Sequence, residues 1–214
     1  MTRRVFITAT DTDAGKTWVT SGAVRAFLAA GVDARAVKPI ACGLDAAGGN
    51  EDIAALLDAQ GLQDTDAISL YRFALPAAPA LAAAAEGRSI VPAELLRWCD
   101  GQSADLTLIE GVGGLMVPLS DGWLVSDWIA AMPGCEIWLV VGCRLGAMNH
   151  ALLTLSVLRQ MGREPARIIF NAATAADESW LEPVRQAVVP FLPAGCRLQL
   201  LHHGDLFVPL SECI

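Results

Sequence analysis

Basic residues are in short supply. Lysine and arginine number 15 against 23 aspartates and glutamates, giving a net charge of -8 over 214 residues. A chain this acidic has no broad face that could release counterions from a nucleic acid or an anionic bilayer, so both partner classes are excluded; a local basic pocket for one nucleotide is not. Long apolar runs are also missing. The most apolar stretch, Phe73 to Ala85, is too short to span a membrane and contains Pro76 and Pro79. The run after Arg3 and Arg4 stops at Ile7, too short for the core of a signal peptide, and the expected location is the cytoplasm. Six cysteines (Cys42, Cys99, Cys135, Cys143, Cys196 and Cys213) show no C-x-x-C spacing, which favours buried free thiols over a zinc or disulfide framework. His202 and His203 are adjacent and His150 reads as a helix start, so no histidine pair has the i, i+4 spacing of a metal helix.

What the chain does have is apolar bulk. Hydrophobic residues make up 54% and charged ones 18%. That composition and length predict one core-rich domain over residues 1–214, burying roughly 70% of its unfolded surface, with enough apolar excess for a subunit interface. No internal repeat or linker divides it.

The chemistry concentrates in Thr8 to Thr17, between the apolar Val5-Phe6-Ile7 and a helical pattern. Strand, loop and helix in that order gather backbone N–H groups at the positive end of a helix, and Gly15 permits close approach of an anion: this is a phosphate-binding loop. Lys16 would reach the outer phosphates and the Thr17 hydroxyl would ligate magnesium. The common pattern is glycine, four free positions and Gly-Lys-Ser/Thr. Here Ala9 holds the place of the first glycine, and the spacer is five residues, Thr10 to Ala14.

Periodicity and breakers predict a helix over Lys16 to Ala30 stopped by Gly31, a strand over Ala34 to Val37, and a flexible loop from Gly43 to Asn50. A helix follows from Glu51-Asp52 to Gln60; a carboxylate there reads, by itself, as a cap or dipole partner. Tyr71 to Phe73 reads as a short strand, and Pro79 to Glu86 and Pro92 to Cys99 as helices. Leu106 to Ile109 is a near-continuous apolar run, as in a central parallel strand, and ends in Glu110-Gly111-Val112-Gly113-Gly114. Ile137 to Val141 and Arg167 to Phe170 are further strands, the second ending at Asn171, with a helix to Met161 between them. The tail reads as a helix over Trp180 to Val188 and a last strand over Arg197 to Leu201. In an open parallel sheet the ligand lies beyond the carboxyl ends of the strands, where both the Thr8 loop and Glu110 fall.

Taken together, the motifs resemble those of dethiobiotin synthetases, in order over roughly residues 3 to 171. They are Thr10-Asp11-Thr12 with Gly15-Lys16-Thr17, Lys38-Pro39-Ile40-Ala41-Cys42-Gly43, Glu51-Asp52, Glu110-Gly111-Val112-Gly113-Gly114, Pro118-Leu119-Ser120-Asp121, Asp127-Trp128, and Leu145 to Ala151. The resemblance implies an α/β fold of P-loop NTPase type, a doubly wound, mostly parallel sheet flanked by helices, acting as a homodimer. It implies 7,8-diaminononanoate, carbon dioxide and ATP with Mg2+ as reactants. It also implies roles: Lys16, Lys38 and Thr12 at the transferring phosphoryl group and carbamate; Asp13, Ala14, Gly15, Lys16, Thr17, Glu110, Gly113 and Asn171 at the nucleotide; Thr17, Asp52 and Glu110 at the metal. Thr12, Lys38, Cys42 and the segment Gly146, Ala147, Met148, Asn149 would bind the diamine substrate, the last four its carboxylate across the dimer. Lys16→Ala and Lys38→Ala are expected to lower activity far more than they unfold the protein.

Three positions depart from the pattern. Ala9 requires a backbone conformation that a Cβ tolerates. Cys42 stands where serine is usual; a thiol is the weaker hydrogen-bond donor and no nucleophilic role is assigned to it. A Gly-x-Ile-Pro-like segment does not follow Asn171, which predicts a looser base pocket. The rivals are another P-loop ATPase or amide-forming ligase and a nucleotide-dependent binding or switch module. A partitioning ATPase would carry a lysine near the start of its loop, and none precedes Lys16.

Overall fold

Apolar residues that alternate with nothing polar need cover on both faces, and the chain supplies it with strands separated by helices. A computed structural model describes residues 3–207. Cys213 and the ends of the expected 1–214 domain lie outside the described residues. Strand β1 (Arg3–Ala9) leads through the loop to α1 (Lys16–Ala29), then β2 (Ala34–Val37), β3 (Ile40–Cys42), α2 (Glu51–Gln60), β4 (Tyr71–Phe73), α3 (Pro79–Ala85) and α4 (Pro92–Asp100). The second half runs β5 (Leu106–Glu110), β6 (Pro118–Ser120), β7 (Trp123–Leu124), α5 (Val125–Ala130), β8 (Glu136–Gly142), α6 (Ala147–Gln160), β9 (Arg167–Asn171), α7 (Glu178–Val188) and β10 (Arg197–Leu201).

Among the described residues the main sheet has six strands in the order β10-β9-β8-β1-β5-β2, all neighbouring pairs parallel. Its register brings the functional strand ends to one edge: Ile7 lies opposite Glu110, Ala9 opposite Val140, and Asn171 between Gly142 and Leu201. Every residue of β5 is buried, as the apolar run required. The core extends through Phe6, Phe27, Trp128, Trp138 and Phe170, with Phe6 and Trp128 meeting edge to face at 4.8 Å.

The predicted elements are present with small shifts. Strand β1 is longer than Val5 to Ile7, and α6 begins three residues before His150. Beyond them, β3 pairs in parallel with β4 in a small separate sheet, and β6 with β7 forms a hairpin ahead of α5. The hairpin strands are two or three residues long, too short for any periodicity to register. The five described cysteines are free thiols.

Ala9 is accommodated without strain. It is the last residue of β1 and fully buried, and the one described non-glycine residue with positive φ is Asp13, at 56°. The left-handed turn of the loop therefore falls at Asp13 and Gly15 rather than at Ala9.

Candidate active site

The loop turns into α1 through Gly15, whose φ of 95° is left-handed and whose hydrogen faces the Asn171 amide; a Cβ there would stand 2.1 Å from Asn171 Nδ2. Asn171 donates from Nδ2 to the Ala14 carbonyl at 2.9 Å, tying the end of β9 to the loop. On the other side, Asp11 accepts from Arg144 Nη2 at 2.8 Å and from the Thr12 N–H at 2.8 Å. The following helix positions Lys16 and Thr17 at its first turn.

Across the cavity, Asn50 caps α2 by accepting the Ile53 N–H, which puts Asp52 in the first turn facing Thr17. Lys38 follows β2 and Glu110 ends β5, adjacent strands of the sheet. Lys38 Nζ donates to Glu110 Oε1 at 2.6 Å and lies 2.8 Å from Asp52 Oδ2, with Glu110 fully buried and Lys38 nearly so. Thr17 Oγ1 lies 2.8 Å from Asp52 Oδ1 and 2.7 Å from Glu110 Oε1. One hydroxyl proton can satisfy only one of those two carboxylates. Glu110 Oε2 is buried and has no hydrogen-bond partner among the described residues. Hydroxyl and carboxylate oxygens converging with an acceptor left over are a donor set of the kind that could hold a hard divalent cation.

The pKa values of the two lysines are shifted in opposite directions. Burial, with Lys38 nearby, lowers the Lys16 pKa to about 8. Lys16 Nζ donates to the Asp11 carbonyl at 3.2 Å, a neutral partner that compensates burial only in part. Burial opposes the charge of Lys38 as well, but Glu110 and Asp52 outweigh it and raise its pKa. Asp52 is pulled the other way: burial raises it, and Lys38 more than offsets this, leaving it below the usual carboxylate range. Cys42, on the cavity wall, is pushed up to about 11 by burial, so it is a thiol at neutral pH.

Thr12, Asp13, Gly15, Lys16, Thr17, Lys38, Cys42, Asp52, Glu110 and Gly113 line one cavity of about 540 Å3. Ala14 is buried beneath it. Asn171 instead lines a smaller cavity of about 170 Å3 on the far side of Gly15, together with Trp18, His202 and His203. Gly146, Ala147, Met148 and Asn149 are not part of either wall. Gly146 caps α6 in a left-handed conformation beyond the end of β8, on the loop side of the sheet. Sequence reasoning missed Pro76 to Pro79, Val112 and Val117, which close the large cavity. The two prolines that break the Phe73 to Ala85 run were the available signal. Trp18, His202 and His203 carried none, because nothing local links residues so far apart.

Comparison with known proteins bears on this geometry. The model of an AAA domain matches residues 3–200. The ATP-dependent dethiobiotin synthetase of Methylobacterium nodulans is 41% identical over 95% of this chain and 94% of its own, and that of Acidiphilium cryptum 40% over 78% of each. The Escherichia coli K12 enzyme of the same name, its first form, is 38% identical over 81% of this chain and 80% of its own. The chain belongs to the dethiobiotin synthetase family.

Solved structures agree on the fold alone. Chloroplast FtsY from Physcomitrella patens superposes with a TM-score of 0.53 at 18% identity, covering 100% of this chain and 63% of that one. Within the dethiobiotin synthetase family the mostly parallel P-loop sheet is thus as expected. No helix among the described residues is long and apolar enough to cross a membrane.

Proposed function

We propose that this protein is a cyclo-ligase that joins 7,8-diaminononanoate and carbon dioxide at the expense of ATP, forming the cyclic urea of dethiobiotin in biotin biosynthesis. The observation that carries this reading is one cavity in which the loop's Lys16 meets the buried Lys38 and two carboxylates, Asp52 and Glu110, from separate parts of the chain.

One amine of the substrate attacks carbon dioxide and loses a proton, giving a carbamate. A carbamate oxygen attacks the γ-phosphorus of ATP and ADP departs, leaving a mixed carbamic-phosphoric anhydride. The second amine then attacks the carbonyl carbon, phosphate leaves, and the ring closes. Each step asks for charge neutralisation and alignment more than for a covalent group on the protein.

The loop amides of Asp13, Ala14 and Gly15 would cradle the phosphates, Lys16 would neutralise the γ-phosphate, and Gly113 would border it. Thr12 and Lys38 would hold the carbamate oxygens in line. Lys38 is paired with Glu110 and Asp52, and its ammonium would bind the carbamate oxygens from that side of the cavity. Thr17, Asp52 and Glu110 would hold Mg2+, which when bound screens the charge on the β- and γ-phosphate oxygens. Asn171 would contact the base, and Cys42 would border the diamine through its thiol.

The α6 start, Gly146 to Asn149, would bind the substrate carboxylate across a homodimer. Exposed Leu145, Met116 and Leu153 near that start support an interface there. The cytoplasm is the location consistent with these substrates.

The test is phosphate release from ATP with and without 7,8-diaminononanoate and bicarbonate. Stimulation that requires both is expected; no stimulation by the diamine would sink the reading.

A further inference from the structure

The smaller cavity is not used by the phosphoryl-transfer chemistry. Gly15 lines both it and the large cavity, so one ligand can run from the phosphate loop into it. Its volume of about 170 Å3 is well below the roughly 300–1,000 Å3 of a pocket for a whole drug-sized ligand. It suits a single flat ring system.

The outer wall is a polar turn with one aromatic face. Trp18 is 47% exposed, and its Nε1 donates to the Asp205 carbonyl at 2.8 Å, which fixes the direction of the indole. The turn from His202 to Asp205 is held from several sides. Asp205 N–H donates to the His202 carbonyl at 3.0 Å, and Glu178 on α7 takes both His202 Nδ1, at 2.9 Å, and the His203 N–H. His203 Nδ1 lies 3.2 Å from the Ala173 carbonyl. Beyond the turn, Phe207 is buried against Gly22 of α1, where an added Cβ would meet Phe207 Cβ at 2.8 Å. Helix α1 therefore carries the phosphate lysine at its start and the aromatic wall just after it, with the turn anchored to the same helix.

We propose that Trp18 is a base-recognition residue: its indole, backed by the His202–Asp205 turn, is the stacking platform for the heteroaromatic base of the nucleotide whose phosphates lie on the loop. The inference rests on the ATP reading above and goes beyond it in assigning the wall. Stacking against a ring held in place before binding needs no ordering of a longer loop, so it can serve where the usual segment after Asn171 is absent.

The experiment compares dissociation constants of ATP and of inorganic tripolyphosphate for the parent, Trp18→Ala and Trp18→Phe by titration calorimetry. Trp18→Ala is expected to weaken ATP roughly 5- to 150-fold, the range for loss of one base–aromatic stack. Tripolyphosphate binding should stay unchanged, and Trp18→Phe should keep most of the ATP affinity. In turnover, KM for ATP should rise while kcat holds. Unchanged ATP affinity in Trp18→Ala would overturn the proposal, as would equal weakening of both ligands, which marks a merely structural role. A parent that binds neither ligand would instead overturn the ATP reading itself.

Discussion

Lys38→Met keeps most of the length of the side chain and removes its charge, leaving Glu110 with no cation at 2.6 Å in a fully buried position. Removing one partner of a buried pair destabilises by about 3–5 kcal/mol, because the remaining charge is uncompensated. The Asp52 contact adds little to this, since its side chain is 44% exposed and water screens it. In a chain of this length each kcal/mol moves the melting temperature by roughly 2–4 °C, so a fall of roughly 6–20 °C is expected. Urea unfolding of Lys38→Met, Glu110→Gln and the double variant measures the pair directly. The double variant should recover most of the loss, with a coupling of about 2 kcal/mol or more. A Lys38→Met protein within about 0.5 kcal/mol of the parent, or a double variant equal to the sum of the singles, would refute the buried-pair reasoning. Magnesium should raise the melting temperature of Lys38→Met more than that of the parent, since the divalent ion replaces the missing charge beside the same oxygens. The expectation that Lys38→Ala lowers activity far more than stability thus needs amending: the pairing adds a stability loss, and activity must be compared well below the variant's transition.

Lys16 should behave differently, because burial already disfavours its charge and its partner is a neutral carbonyl; Lys16→Met is expected to abolish phosphate release while thermal unfolding stays the same or moves up. Gly15→Ala places a Cβ 2.1 Å from Asn171 Nδ2 at a φ of 95°, so it should cost about 1–2 kcal/mol in backbone strain alone and remove nucleotide binding by calorimetry. Ala9→Gly, which restores the residue usual in the family, should not raise activity and should destabilise by about 0.5–1 kcal/mol in denaturant, because β1 gains backbone entropy to lose. Cys42→Ala should retain turnover. In the parent, iodoacetamide labelling of Cys42, followed by peptide mapping, should be slow at neutral pH. Its rate should climb until pH about 11, not level near 9, since a raised pKa keeps the unreactive thiol form to higher pH.

The sequence by itself determined the chemistry that can be read locally. A phosphate loop needs its amides, glycine, lysine and threonine within a few consecutive residues, so Gly15-Lys16-Thr17 was legible, as were the apolar β5 and its terminal Glu110. The parallel α/β class followed from alternating strand and helix patterns, because periods of 2.0 and 3.6 are properties of neighbouring residues. Tertiary structure decided what depends on residues distant in the chain. Lys38 could be named as functional, but its pairing with both Glu110 and Asp52 is set by β2 lying beside β5 and by the Asn50 cap on α2. The smaller cavity joins Trp18 to His202 through a turn whose anchors, Glu178 and Gly22, lie on separate helices. A contact made across so many residues leaves no periodic trace in either segment, and only the packed sheet, which brings the ends of β1 and β10 to one edge, makes those side chains neighbours.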